Sequence, residues 1–89
     1  MFEGLPDATE GSPFLKGSAY RVVVEAVGYC DHLRPGERLI FDRVVYGHYD
    51  DVYIYIFRDE LGNQRNWTRK RADPDILWSR YFRLTDIIG

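Results

Sequence analysis

Val52-Tyr53-Ile54-Tyr55-Ile56-Phe57-Arg58 alternates without a break between aliphatic and aromatic side chains. Side chains of a β-strand point to opposite faces with a period of two, so Val52, Ile54 and Ile56 share one face and Tyr53, Tyr55 and Phe57 the other. No helical period fits this run. The residues after it, Asp59-Glu60-Leu61-Gly62-Asn63, form a hairpin loop with Gly62 as the positive-φ residue. Gln64 to Arg69 then return as a strand with Arg65, Trp67 and Arg69 on one face.

Upstream, Arg38 to Tyr46 reads as another strand, with Leu39, Phe41 and Val45 on one face and Ile40, Val44 and Tyr46 on the other. Gly47 to Asp51 turn it into the alternating strand. Arg34-Pro35-Gly36-Glu37 suits a type II turn, proline setting φ at its second position and glycine accepting a positive φ at its third. Tyr20 to Tyr29, rich in β-branched residues, reads as one long strand with a bulge or bend at Gly28. Downstream, Asp73-Pro74 is a helix start, Asp as the cap and Pro at the first helical position. Ile76, Leu77 and Tyr81 at helical spacing would cap an open end of the sheet, and Phe82 to Ile88 close the fold as a last strand.

The fold class is therefore mainly β, with one short helix near residues 74–81. The order of elements is that of a small SH3-like barrel, with a strongly bent five-stranded antiparallel sheet as the alternative. Closure removes the edges that an open sheet leaves exposed. Residues 1–13, rich in Gly, Pro and acids, read as a flexible tail, and residues 14–89 as a single domain. Phe2 and Leu5 are the tail's only large apolar groups, and docking of these two on the domain is the weaker alternative.

Gly17-Ser18-Ala19-Tyr20-Arg21-Val22, Pro35-Gly36-Glu37-Arg38-Leu39-Ile40-Phe41 and Tyr49-Asp50-Asp51 follow one another in a pattern that resembles small bacterial single-domain families of unknown function. The resemblance spans residues 17–83. Its motifs are turns and core positions, so it implies a fold and no activity.

Composition narrows the function. Of 89 residues, 45% are hydrophobic and 16% aromatic, which supplies the dense core a chain this short needs. A net charge of −2 argues against general nucleic-acid binding. The charge is uneven: residues 1–37 hold six acids and three bases, residues 64–83 six bases and two acids. A lone cysteine, Cys30, rules out an internal disulfide, no stretch is apolar enough to span a membrane as a helix, and the acidic start is not expected to act as a signal peptide. A cytoplasmic location is the expectation.

Catalytic chemistry finds no foothold. Cys30 and His32 are near neighbours in sequence, whereas a catalytic pair is normally assembled by the fold. His48, Asp50 and Asp51 fall short of the ligand set a zinc site wants and suit a polar turn. No cofactor and no metal is expected. If a small barrel buries one face of each strand, the aliphatic face of 52–58 is core. Tyr53, Tyr55 and Phe57 are then left for the tail, the Trp78 segment, a second copy or a partner to cover. The expectation is a non-enzymatic domain that dimerises or binds a protein through that aromatic face. The alternative is a nucleic-acid-binding barrel using the basic arm of Arg65, Trp67, Arg69, Lys70 and Arg71.

Overall fold

A computed structural model describes residues 4–28, 31–73 and 78–86. The alternating run forms β5 (Val52–Arg58), the centre of a meander with β4 (Arg38–Gly47) and β6 (Gln64–Lys70). On the other side of β4 lie β1 (Ala19–Val22) and then β7 (Phe82–Asp86), all antiparallel, in the order β6-β5-β4-β1-β7. The hydrogen-bonded ladder does not close: β6 and β7 are its two ends. A separate hairpin, β2 (Ala26–Gly28) with β3 (Asp31–Leu33), lies beside β6, and one turn of helix, α1 (Trp78–Tyr81), leads into β7. The expected turns form: Gly36 has φ +97° with the Glu37 amide 3.2 Å from the Arg34 carbonyl, and Gly62 has φ +84°. Cys30, the helix start at residues 74–77 with Ile76 and Leu77, Phe2 and Ile88 lie outside the described residues.

The assignment of faces needs correction. The aromatic face of β5 is the main core, not a surface: Tyr55 is 3% exposed and Phe57 is fully buried, packed with Tyr20, Phe41, Trp67 and Phe82. At the centre sits Phe14, whose ring lies 4.9–5.3 Å from those of Tyr20, Phe41, Tyr55, Phe57, Trp78 and Phe82. The aliphatic face is buried too, in a smaller cluster of Val45, Val52, Ile54 and Ile56 against Leu5. A bulge between Phe41 and Arg43 turns the face over, so Val44 joins Leu39 and Phe41 in the main core while Val45 faces the second cluster.

The described part of the N-terminal segment is bonded to the sheet rather than hanging free. β4 is ten residues long, but β1 pairs only with Arg38–Ile40, and residues 17 and 18 carry the pairing to Phe41. The remaining edge of β4 has amides and carbonyls to satisfy. Residues 6–9 supply the partners: the Tyr46 amide donates to the Pro6 carbonyl at 3.0 Å and the Ala8 amide to the Val44 carbonyl at 2.9 Å. Asp7 bridges Val45, and the Thr9 hydroxyl accepts from the Val44 amide.

The expected long strand of 20–29 is broken between Val22 and Ala26, and the loop after it contains β3. Gly28 explains why β2 departs: a Cβ there would stand 2.1 Å from Asn66 Oδ1 and 2.2 Å from the Asn66 carbonyl oxygen. Its role is close approach to β6, not a bulge.

Candidate functional site

Two arginines of the expected basic arm are drawn inward by alternation along β6. Register places Arg65, Trp67 and Arg69 opposite Phe57, Tyr55 and Tyr53, on the core side of the sheet. Trp67 at the middle is buried, its ring 4.9 Å from that of Tyr55 and 5.2 Å from that of Phe82. An indole packed this way has no face left for a nucleobase.

Arg65 is caged by carboxylates from β3 and from two turns. Its Nε donates to both oxygens of Asp31 at 3.1 Å, and Nη1 donates to Glu37 Oε1 at 2.7 Å. Nη2 reaches Glu37 Oε2 at 3.3 Å and the His32 carbonyl at 3.1 Å, and Asp59 stands 3.6 Å from Nη1. Donating hydrogen bonds to Glu37 and then to Asp31 raises the Arg65 pKa, so the group is permanently cationic. In return the Arg65 guanidinium, with the Arg34 amide, holds the Glu37 carboxyl below its usual range. The same Asp31 accepts from the Asn66 amide at 3.0 Å, so the cage fastens the β2–β3 hairpin to β6.

Arg69 is 6% exposed. Its guanidinium carbon lies 5.2 Å from the Tyr53 ring centroid and 5.9 Å from that of Tyr55, within cation–π range. Nε donates to the Tyr55 hydroxyl at 3.0 Å and Nη1 to the Asp73 carbonyl at 2.7 Å. Lys70 and Arg71 are exposed, and Arg71 pairs with Asp51 at 3.4 Å.

The half-buried Tyr53 and the buried Arg69, one member of each expected site, meet at a single cleft. Tyr53 is half-buried, and with Arg69 and Tyr55 it lines a cleft of about 230 Å³ whose opposite wall is the N-terminal segment around Ala8, Glu10 and Pro13. Tyr46 stands beside Tyr53 across the strand pair, ring centroids 5.5 Å apart. The cleft has room for one side chain.

Elsewhere the candidate groups scatter. His48 stacks on the exposed Tyr49 at 5.0 Å, and Asp51 accepts from the Tyr46 hydroxyl. His32 pairs with Glu25 on the hairpin. Among the described residues no three of His, Cys, Asp and Glu converge to hold a metal, and no helix is long and apolar enough to cross a membrane. Sequence reasoning missed Phe14 and the carboxylate cage. Phe14 had a signal, an aromatic after Pro13 at the boundary assigned to the tail; the cage had none, because its acids come from β3 and two turns far apart in the chain. No protein-family model, curated protein or solved structure matches the chain.

Proposed function

We propose that this chain is a non-enzymatic protein-interaction domain of the SH3-like barrel arrangement, receiving its partner at the Tyr53–Arg69 cleft. Five antiparallel strands in the order last-first-second-third-fourth, counted along the large sheet, with a helical turn before the last, favour that arrangement. Side chains such as Trp67 and Phe82, rather than hydrogen bonds, bring its two ends together.

The observation that carries the functional reading is the cleft. Tyr53 presents a half-buried ring with the Arg69 guanidinium 5.2 Å from its centroid, and a tyrosine ring offers apolar contact through a side chain that tolerates a half-wet position. Nothing in the cleft forms a nucleophile–base pair. The nucleic-acid alternative loses its ground with Trp67 buried and Arg65 neutralised by carboxylates.

Selection of a random peptide display library on the folded domain tests the reading. Recovered peptides should shift the amide resonances of Ala8, Tyr53 and Arg69 and bind about tenfold more weakly to Tyr53→Ala, a loss of about 1.4 kcal/mol. Peptides indifferent to Tyr53 would refute the site. Single-stranded RNA binding with a steep salt dependence, mapped to the same residues, would refute the class.

A further inference from the structure

Register shows how the N-terminal segment lies on the sheet. Asp7 bridges Val45 and Ala19 pairs with Ile40, both antiparallel, so the segment and β1 run along the same edge of β4. Between these two pairs the N-terminal chain advances twelve positions while β4 covers only five. The surplus cannot lie in the ladder and loops away from it, which leaves the segment with two anchorages of unequal strength. The inner one is Phe14, 3% exposed at the centre of the main core. Just after it the Leu15 amide donates to the Tyr20 hydroxyl at 2.8 Å and the Gly17 amide to the Phe41 carbonyl at 2.9 Å. The outer one is residues 5–9. They alternate as a strand does, Leu5 reaching the aliphatic cluster and Ala8 the main core, but both are only half-buried. None of residues 4–13 is buried.

Between the anchorages, residues 10–13 pass over the cleft and line its outer wall. Their backbone bonds among the described residues are local: the Ser12 amide donates to the Thr9 carbonyl at 3.0 Å and the Phe14 amide to the Ser12 hydroxyl at 3.1 Å. Gly11, at φ +86°, turns the chain there. A segment with few buried apolar contacts and solvent-exposed backbone bonds opens locally, well before the core does. The half-buried Leu5 and the edge bonds to Val44 and Tyr46 must offset the entropy of ordering residues 5–9. Phe14, by contrast, can leave only by emptying the centre of the core.

We infer that residues 4–9 are a gate on the Tyr53 cleft, opening as one unit about residues 10–13 while Phe14 stays in the core. Closed, the gate supplies the Ala8 side of the cleft. Open, it removes that wall and frees the edge of β4 at Val44 and Tyr46. The role of this motion in binding rests on the cleft being the partner site. A peptide lying between Ala8 and Tyr53 touches both walls, so it stabilises the closed form and slows the opening.

Amide hydrogen exchange on the full chain, read residue by residue, tests the gate without a ligand. The Ala8, Val44 and Tyr46 amides bond across the outer anchorage, and the Gly17 and Phe41 amides across the inner one. The first three should show protection factors that agree within about threefold and lie at least about a hundredfold below those of the other two. Leu5→Ala should lower the first three together by about tenfold and leave Gly17 and Phe41 unchanged.

A covalent lock supplies the converse. Bonds of Pro6 with Tyr46 and of Ala8 with Val44 flank Asp7 and Val45, which makes these two a non-hydrogen-bonded pair. In that geometry Cα atoms stand about 4.5 Å apart, a span that a disulfide bridges. Asp7→Cys with Val45→Cys, in a Cys30→Ser chain, should on oxidation raise Ala8 and Tyr46 to the protection of Gly17. Reduction should reverse the effect, and the reduced form shows that the variant folds. Equal protection of Tyr46 and Phe41 in the wild type, release of Gly17 together with Ala8, or indifference to the disulfide would overturn the gate. Peptides selected at the cleft should slow exchange at Ala8 and Tyr46. Peptides that bind through Tyr53 yet leave that exchange unchanged would overturn the proposal with the cleft still standing. If no peptide engages Tyr53, the cleft reading fails, and the exchange pattern of the free chain still decides the gate.

Discussion

Two sets of arginines lie on this sheet, and their fates are opposite. Arg65 and Arg69 belong to a continuous basic stretch, yet one is enclosed by Asp31, Glu37 and Asp59 and the other by two tyrosine rings and backbone carbonyls. Arg21, Arg38 and Arg83 are scattered along the chain, yet register brings them into one row on the outer face. Charge that is contiguous in sequence becomes internal fastening, and charge that is dispersed becomes surface. The face a residue points to outweighs the company it keeps in the chain.

If this contrast holds, the two sets respond differently to removal. Arg65→Ala strips the cation from three carboxylates and leaves them to repel one another in a half-buried site. The expected loss is about 2–4 kcal/mol by urea unfolding, a large share of the stability of a domain this size. A loss under about 1 kcal/mol would place the cage with ordinary solvent-screened pairs and dissolve the contrast.

Gly28→Ala tests the same fastening from the other side of the hairpin. The added methyl meets the Asn66 backbone, which cannot swing away as a side-chain end would. A cost of about 1–3 kcal/mol is expected. Hydrogen exchange should quicken over 26–28 and 31–33 before β4 and β5 are affected. Uniform exchange across the sheet would mean that the hairpin has no separate stability to lose.

The alternation of β5, both turns that place glycine at positive φ, and the strand–helix–strand ending were legible because each is local. The burial of both faces of β5 was not. A small sheet with one wet face is a sound default, but here Phe14 and Leu5 enter from the N-terminal segment and cover one face each. Composition made that segment look like a tail; what holds it is the unpaired half of a ten-residue β4, a length mismatch visible only once strands are paired. Tyr53 was legible as an interaction candidate and remains one. Tyr55 and Phe57 do not, since a period of two says which residues share a face but not which face is larger inside.

Acid should weaken the cage in a predictable window. Glu37, bonded first to Arg65 and then to the Arg34 amide, titrates below its ordinary 4.5 in the folded chain. Burial works against ionisation of Asp59, yet the Asn63 and Leu61 amides outweigh it, and this carboxyl too lies below its ordinary 3.8. A folded value below the unfolded one contributes stability above the unfolded value and loses it as pH falls through the folded value. The thermal midpoint should therefore be level down to about pH 5 and decline below 4.5. Arg65→Ala should flatten that decline, since Glu37 then loses the partner that lowers it.

The smallest expected effect is the sharpest discriminator. Arg21 touches the Gly36 carbonyl at 3.0 Å and otherwise sits between two like charges. Arg21→Gln keeps a donor and much of the stem while removing the central charge of the row. Cross-strand repulsion of this kind is worth about 0.2–1 kcal/mol, so the variant should equal or slightly exceed the wild type in stability at low salt. Salt screens such repulsion, so added salt should narrow that difference. A loss of more than about 1 kcal/mol would show Arg21 to be fastening like Arg65, and both arginine sets would then serve the fold. A neutral or stabilising result would show that the charge of Arg21 adds nothing to what holds the sheet together, and the contrast with Arg65 would stand.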